Sequence, residues 1–269
     1  MSTVLTIAGF DPSGGAGVIA DVKTLAAFGC RPTAAITSLT FQNASGVQGA
    51  RHQTAKTVRE QVMAIVAESA IAAVKTGMLP TREIVAEVAR LFREEELPAP
   101  VVDPVLRSTS GYELMESDAI EVLLKDLMPL ARVITPNIPE SETLTGLHIE
   151  NEEGMRAAAS KLREMGARAV LIKGGHLSLG AQASCLPSDA TGDAGKMPAL
   201  PAQAIDVLDN EGRVTVFRDE WIDASPVRGT GCMLSSAIAA CLAQNMNLAE
   251  SVSAAKRFVT DVLLQNRER

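Results

Sequence analysis

The stretch VLTIAGFDPSGGAGVIADVKTLAAFGCRPTAAITSLTF, residues Val4–Phe41, decides the fold. It begins with an apolar run, VLTIAG (Val4–Gly9), and ends with a second run rich in β-branched residues, AAITSLTF (Ala34–Phe41). Continuous apolar runs are typical of strands that are covered on both faces. The segment between the runs is long enough for a helix, so the stretch predicts a strand, a crossover helix and a parallel strand.

The same alternation continues along the chain. Helical spacing of apolar residues predicts helices over Thr57–Ala70 and Asn247–Leu264, the second opening with a capping-box variant formed by Asn247 and Glu250. Four more short apolar runs predict strands: Ala72–Gly77, Ala99–Val105, Arg132–Asn137 and Ala169–Gly175. We therefore expect one α/β domain over residues 1–269, with a mostly parallel central sheet between two layers of helices.

Two segments depart from this alternation. Leu177–Gln203 is rich in Ala, Gly, Ser and Pro and has no periodicity, so we expect a flexible surface insertion in which Cys185 is incidental. The stretch after it, AIDVLDNEGRVTVFRDEWI, predicts a β-hairpin that turns at Asp209–Gly212.

Composition excludes several functional classes. The net charge of −7 over 269 residues argues against a nucleic-acid partner. No apolar run reaches the 18 or so residues that span a bilayer, and the first residues lack the basic region of a signal peptide. The four cysteines form no C-x-x-C pair, which is typical of reduced thiols in a cytoplasmic protein.

Polar or glycine residues follow most of the predicted strands. Because the carboxyl ends of parallel strands lie along one edge of a sheet, ligands of open α/β sheets bind at that edge. We therefore expect one site to gather residues that are far apart in the chain: Gly9, Asp11, Gln42, Met78, Asp103, Asn137, Glu140, Lys173 and Cys232.

Familiar nucleotide-binding motifs do not explain this site. Gly15–Ala20 fits the dinucleotide pattern G-x-G-x-x-A, but no acidic residue stands about 20 positions later to bind a ribose. The sequence also contains no G-x-x-x-x-G-K-[ST] phosphate loop, which argues against a P-loop fold.

The run Gly229-Thr230-Gly231-Cys232 opens an apolar helix. Free amides at a helix N-terminus bind anions, and the same field would lower the pKa of a cysteine there and favour the thiolate. The alternative is a glycine-rich turn followed by a buried structural cysteine. The residues alone leave both interpretations open.

Taken together, the motifs resemble the hydroxymethylpyrimidine/phosphomethylpyrimidine kinases of thiamine biosynthesis, within the ribokinase-like superfamily. The resemblance covers the chain outside residues 177–203 and rests on motifs in a fixed order: TIAGFDPSGGAGVIADVKT, QNASGVQG, VKTGML, PVVDPVL, TPNIPESE, VLIKGGH, GTGCMLSSAIAA and AAKRFVT. It implies a three-layer ribokinase-like α/β/α sandwich, ATP and Mg²⁺ as cofactors, and a homodimer.

The resemblance also implies roles for individual residues. Gln42 would bind the aminopyrimidine edge. The pyrimidine pocket would be lined by Gly9, Ala16, Met78 and Val105. Asp21 would support the loop that follows the first strand. Glu140 would organise Mg²⁺ with Asp103. Asn137, Lys173, Asp103 and Arg228 would bind ATP. Gly229, Thr230 and Gly231 would form an anion hole beside Cys232, which would accept the proton of the substrate hydroxyl or act sterically.

Some positions depart from the family pattern. Phe10 stands where Ser is usual, Arg228 replaces a common His, and Arg107–Met115 lacks the usual Lys. Three rival functions share some of these features: a pyridoxal or pyridoxine kinase, a non-catalytic pyrimidine sensor, and a cysteine hydrolase using Cys232. The sensor needs no phosphate-binding residues, and the hydrolase needs a nearby histidine that the sequence does not clearly supply.

Overall fold

The computed structural model describes residues 1–43, 45–175, 203–222 and 227–267. The predicted insertion, 177–203, lies outside these residues except for Gln203. The strands are β1 (Thr3–Phe10), β2 (Arg31–Asn43), β3 (Gly46–His52), β4 (Ile71–Thr76), β5 (Val101–Val102), β6 (Val133–Ile134), β7 (Ala169–Gly174), β8 (Gln203–Asn210) and β9 (Arg213–Glu220).

The helices alternate with these strands along most of the chain. They are α1 (Gly17–Ala27), α2 (Ala55–Val66), α3 (Arg82–Glu94), α4 (Ser117–Val122), α5 (Ile138–Thr145), α6 (Glu152–Glu164), α7 (Thr230–Ala243) and α8 (Leu248–Arg267). A π-helical turn, Leu123–Leu127, and a 3₁₀ turn, Met128–Leu130, follow α4. Among the described residues, no helix has both the length and the apolar character needed to cross a membrane.

The described strands form one sheet in the order β3-β2-β1-β4-β5-β6-β7-β8-β9. All pairs from β2 to β7 are parallel, whereas β3, β8 and β9 pair antiparallel at the two edges. The expected mostly parallel sheet is therefore confirmed. The sequence pattern does not predict β3, because its segment GVQGARH has two glycines and little apolar character.

The predicted hairpin turn is also confirmed. β8 pairs with β9 through Asn210 and Arg213. The two residues between them, Glu211 and Gly212, both have positive φ angles, 55° and 91°, as a tight two-residue hairpin turn requires. The side chain of Asp209 accepts a hydrogen bond from the Gly212 amide at 2.8 Å and closes the turn.

Two hydrophobic cores lie on opposite faces of the sheet. Leu5 and Ile7 of β1 point into a core that includes residues of α2, α3 and α6. The neighbouring Val4 points into a second core with Leu25 of α1 and apolar residues of α7 and α8. Because successive side chains of a strand alternate between faces, β1 serves both cores. The result is the expected α/β/α arrangement of three layers.

A buried ion pair joins this sheet to its helices below the carboxyl edge. Lys75 of β4 and Asp21 of α1 are both fully buried, with Nζ 2.8 and 3.0 Å from the two carboxylate oxygens. The hydroxyls of Thr6 in β1 and Ser236 in α7 donate to the same carboxylate at 2.6 and 2.8 Å. Four hydrogen bonds thus satisfy the buried charge and fix α7 against two strands.

We predict that Lys75→Met destabilises the protein by about 3–5 kcal/mol, because it leaves the Asp21 carboxylate buried without its cation. Adding Asp21→Asn should recover much of this loss, since it removes the stranded charge and retains an oxygen acceptor. Urea unfolding followed by circular dichroism measures both changes.

Lys56→Met is the matched control for this prediction. Lys56 is exposed, and within the described residues its one ion pair is with Glu60 of its own helix, so its loss should change stability by less than about 0.5 kcal/mol. A Lys75→Met variant as stable as this control would contradict the structural role of the buried pair.

Candidate active site

Two glycine-rich segments pack face to face at the carboxyl edge of the sheet. Gly229 precedes α7 with φ at 77°, and a Cβ at this position would lie 2.1 Å from the carbonyl oxygen of Gly15. Gly17 begins α1 with φ at 56°, and its Cβ would lie 2.2 Å from the oxygen of Gly9. Only glycine permits both the backbone angle and the approach. The loop between β1 and α1, residues 11–16, is called the first loop below. It and the start of α7 therefore form one continuous surface.

Cys232 lies in the first turn of α7, on this surface. Burial raises the pKa of Cys232 to about 11, although the nearby charge of Lys75 and the backbone amide of Gly17 act to lower it. The expectation that the helix field lowers the pKa and favours a thiolate is wrong, because desolvation of the thiol outweighs the favourable charges.

A second ion pair lies beside the glycine turn. Nζ of Lys173, at the end of β7, is 2.7 Å from Oδ1 of the buried Asp103. Thr135 donates to the same oxygen at 3.2 Å, and Ser235 of α7 donates to Oδ2 at 3.2 Å. Burial opposes the charge of Asp103, but the cations Lys173 and Lys75 outweigh it and hold the pKa of Asp103 below its usual range.

Lys173 also reaches the turn that opens α7. A Cβ on Gly231 would lie 3.2 Å from Nζ of Lys173. Desolvation acts to lower the pKa of Lys173, but Asp103 and Glu140 together raise it, so the ammonium stays charged. A cation and the free amides of a helix N-terminus thus face the same small space, which is the arrangement that binds a phosphate.

Asn137 and Glu140 are joined in a capping box at the start of α5. The Asn137 side chain accepts from the Glu140 amide, and Glu140 Oε2 accepts from the Asn137 amide, both at 2.8 Å. Burial raises the pKa of Glu140 to about 7, with Asp103 also raising it and Lys173 opposing the shift. Glu140 therefore belongs to the same charged cluster as Asp103 and Lys173.

The predicted pyrimidine-side residues surround the point where strand order reverses between β1 and β4. Gly9 at the end of β1 contacts Met78, since a Cβ on Gly9 would lie 2.8 Å from the Met78 sulfur. Ala16 is the N-cap of α1, Gln42 lies near the end of β2, and Val105 follows β5. Every one of them lies at the carboxyl edge of the sheet, as the topology requires.

Asp21 lies beneath the pyrimidine-side residues, in a fully buried position. Its carboxylate is fully buried and already receives hydrogen bonds from Thr6, Lys75 and Ser236. Asp21 therefore supports the first loop from below and does not face a ligand.

Arg228 contacts Gln42 and the loop after β1, and no hydrogen bond in the described part of the chain joins its side chain to Asn137, Lys173 or Asp103. Its guanidinium donates to Gln42 Oε1 at 3.1 Å, to the Asn43 carbonyl at 2.6 Å and to the Ser13 hydroxyl at 3.3 Å. It also lies 3.5 Å from Oδ2 of Asp11. Its neighbours are thus the first loop and the end of β2, whereas Lys173 and Asp103 contact the turn that opens α7.

Five residues that the sequence motifs do not single out bind the buried carboxylates beneath the site: Thr6, Lys75, Thr135, Ser235 and Ser236. One signal was available, because Lys75 interrupts an otherwise apolar strand and a lone buried cation requires a partner. The serines of α7 gave no such signal, since Ser is common on exposed helix faces.

Comparison with known proteins places the chain among vitamin kinases. A sequence profile described as phosphomethylpyrimidine kinase matches residues 11–268. A hydroxymethylpyrimidine/phosphomethylpyrimidine kinase from Streptomyces coelicolor is 39% identical over 260 residues, or 97% of this chain and 88% of that one. A thiamine biosynthesis bifunctional protein from Geobacter sulfurreducens is 38% identical; the match covers 96% of this chain but only 48% of that longer protein.

Solved structures give the same result. The phosphomethylpyrimidine kinase from Clostridium difficile is 35% identical, with a TM-score of 0.78 over 97% of this chain and 99% of that one. The pyridoxal kinase from Staphylococcus aureus, in complex with AMP-PCP and pyridoxal, is 27% identical, with a TM-score of 0.82 over 98% and 88%. The expected ribokinase-like α/β/α sandwich is confirmed.

We predict that Cys232 reacts slowly with iodoacetamide at neutral pH and that its rate keeps rising through pH 10. With a pKa of about 11, only about one thiol in a thousand is ionised at pH 8. Peptide mass spectrometry across pH 7–10 measures the rate, with the urea-unfolded chain as reference. A plateau below pH 8 would show a thiolate and contradict the raised pKa of Cys232.

Proposed function

Because the chain belongs to the phosphomethylpyrimidine kinase family, we propose that it transfers the γ-phosphoryl group of ATP to a pyrimidine. The substrate is 4-amino-5-hydroxymethyl-2-methylpyrimidine, and its monophosphate is then phosphorylated to the pyrophosphate. This places the enzyme in thiamine biosynthesis. The single-domain organisation over residues 1–269, a homodimer and a cytoplasmic location stay predictions.

The observation that carries this proposal is the space between Lys173 and the Gly229–Gly231 turn. Nζ of Lys173 would lie 3.2 Å from a Cβ on Gly231, so the absent side chain leaves room for a phosphoryl oxygen between a cation and the amides of α7. Phosphoryl transfer depends mainly on positioning and on neutralising negative charge. A binding protein without catalytic activity would not require this arrangement, which argues against the sensor.

The pyrimidine end of the site supports the choice of substrate. The Gln42 amide can both donate and accept, as an aminopyrimidine edge requires. Gly9, Ala16, Met78 and Val105 supply mainly backbone and apolar surface for a flat ring. We propose that the ring lies between these residues with its hydroxymethyl group toward Cys232 and the phosphate space.

The donor set fits a magnesium ion that is shared with nucleotide phosphates. Magnesium usually binds one or two protein carboxylates together with phosphates and waters. Asp103 and Glu140 offer two carboxylates, and the described part of the chain contains no cluster of three side chains that would hold a metal alone. When bound, the ion would neutralise charge on the phosphates. Asn137 would hold Glu140 in place, and Lys173 would bind phosphate.

We propose that Cys232 orients the substrate hydroxyl as a neutral thiol. A protonated thiol cannot serve as a general base, and the pKa of about 11 keeps Cys232 protonated at neutral pH. The hydroxyl loses its proton late in phosphoryl transfer, so the proton can pass to a phosphoryl oxygen. The amides of the Gly229–Gly231 turn, together with Lys173, then supply most of the stabilisation.

The first test is a coupled ADP-release assay with ATP and Mg²⁺ on the hydroxymethylpyrimidine, its monophosphate and pyridoxal. We expect turnover on both pyrimidines. Cys232→Ser should retain activity within about tenfold, whereas removal of a general base would cost at least about a hundredfold. Cys241→Ser, a buried cysteine further along α7, is the control.

Other outcomes of this assay would change the assignment. Turnover on pyridoxal alone would make the enzyme a vitamin B6 kinase of the same fold. Tight pyrimidine binding with no turnover on any substrate would leave a sensor. A hundredfold loss in Cys232→Ser would restore the general-base role.

A second prediction concerns pH. Burial raises the pKa of Glu140 to about 7. If the ionised carboxylate of Glu140 binds magnesium, kcat/KM for ATP should therefore rise between pH 6 and 8, with an inflection near pH 7. Glu140→Gln should lower activity at pH 8 by about 10- to 100-fold and flatten the profile. Glu142→Gln, on the same helix but paired with His148, is the control and should keep the profile. An unchanged profile in Glu140→Gln would refute this role.

A further inference from the structure

Arg228 connects three segments that border the pyrimidine end of the site. It stands directly before the Gly229–Gly231 turn, and its side chain reaches both the first loop and the end of β2. A Cβ on Gly15 would lie 3.6 Å from the Arg228 Cβ, so the arginine also packs against the first loop. The Arg228 side chain is only 25% exposed despite its position in a loop.

The contact with Gln42 fixes the orientation of that amide. A guanidinium has only donors, so the group of Gln42 that faces Arg228 at 3.1 Å must be the oxygen Oε1. The amide nitrogen Nε2 then has no hydrogen-bond partner among the described residues. Without Arg228 the amide could rotate and present either atom to a ligand.

Asp11 holds Arg228 in this position. Asp11 is 1% exposed, and its Oδ1 accepts from the amide and hydroxyl of Ser13 at 2.8 and 2.7 Å. Its other oxygen, Oδ2, is buried and has no hydrogen-bond partner in the described part of the chain, and the Arg228 guanidinium lies 3.5 Å away. A buried carboxylate oxygen without a full partner attracts a nearby cation, which keeps the arginine over Gln42.

We propose that Arg228 determines specificity by locking Gln42 as a hydrogen-bond donor toward the ring of the substrate. Gln42 Nε2 then requires a lone-pair acceptor, which a pyrimidine ring nitrogen provides and a protonated or carbon position does not. The remaining lone pair of Oε1 accepts from an adjacent amino group. This inference rests on the proposed function, and it makes Arg228 a residue of the pyrimidine site rather than of the nucleotide site.

The test compares Arg228→Met and Arg228→Lys with the control Arg31→Met, which removes an exposed arginine paired with Glu68. Steady-state assays give KM for the hydroxymethylpyrimidine, KM for ATP and kcat. For Arg228→Met we expect KM for the pyrimidine to rise about tenfold or more, with KM for ATP and kcat within about twofold. Arg228→Lys should have a KM for the pyrimidine between those of wild type and Arg228→Met, because an ammonium keeps the charge but lacks the planar set of donors of a guanidinium.

A double-mutant cycle with Gln42→Ala isolates the contact. If Arg228 acts through Gln42, Arg228→Met should have little further effect in the Gln42→Ala background. Additive effects on KM for the pyrimidine would overturn the proposal. A rise in KM for ATP with KM for the pyrimidine unchanged would also overturn it and make Arg228 a phosphate ligand.

Failure of this inference is distinguishable from failure of the proposed function. Wild-type turnover on the hydroxymethylpyrimidine tests the function alone. Calorimetric binding of the pyrimidine without ATP then tests Arg228 independently of catalysis, and thermal unfolding confirms that each variant is folded. Weaker pyrimidine binding in folded Arg228→Met supports the proposal, whereas affinity equal to that of Arg31→Met refutes it.

Discussion

The fully buried pair between Lys75 and Asp21 is the constraint on which the site depends. It joins β4 to α1, while Thr6 and Ser236 bring β1 and α7 to the same carboxylate. The pair lies where strand order reverses, so it holds together four of the elements whose ends contribute to the site. Burying two charges carries a large desolvation cost, which four hydrogen bonds and mutual attraction offset. The geometry is consequently tightly specified, since a shift of any element would leave a charge unpaired.

The second pair, between Lys173 and Asp103, extends this arrangement toward the ligand. Ser235 links Asp103 to α7, one residue before Ser236 links Asp21 to the same helix. Two neighbouring serines therefore anchor the first turns of α7 to two buried carboxylates. This fixes the amides of the Gly229–Gly231 turn near Lys173 before any phosphate arrives. Preorganised charge of this kind needs little rearrangement during phosphoryl transfer.

Much of the site could be predicted from sequence because a parallel sheet places the carboxyl ends of its strands, and the residues that follow them, along one edge. Once the strands were recognised as parallel, Gly9, Gln42 and Lys173 had to lie along one edge, however far apart in the chain. The sequence could not predict the protonation of Cys232 or the direction of Arg228. The first depends on a balance between desolvation and several charges, and the second on which carboxylate lies within reach of a long side chain.

The sequence by itself determined the alternation of strands with helices, the parallel sheet, the glycine turn before α7 and the family, because local periodicity or contiguous motifs encode each of them; it did not determine β3. Only the tertiary structure decided that Lys75 pairs with Asp21, that burial raises the pKa of Cys232 and that Arg228 faces Gln42. Those properties arise from distances between residues remote in the chain. Electrostatic energy and desolvation depend on such distances, and no local pattern encodes them.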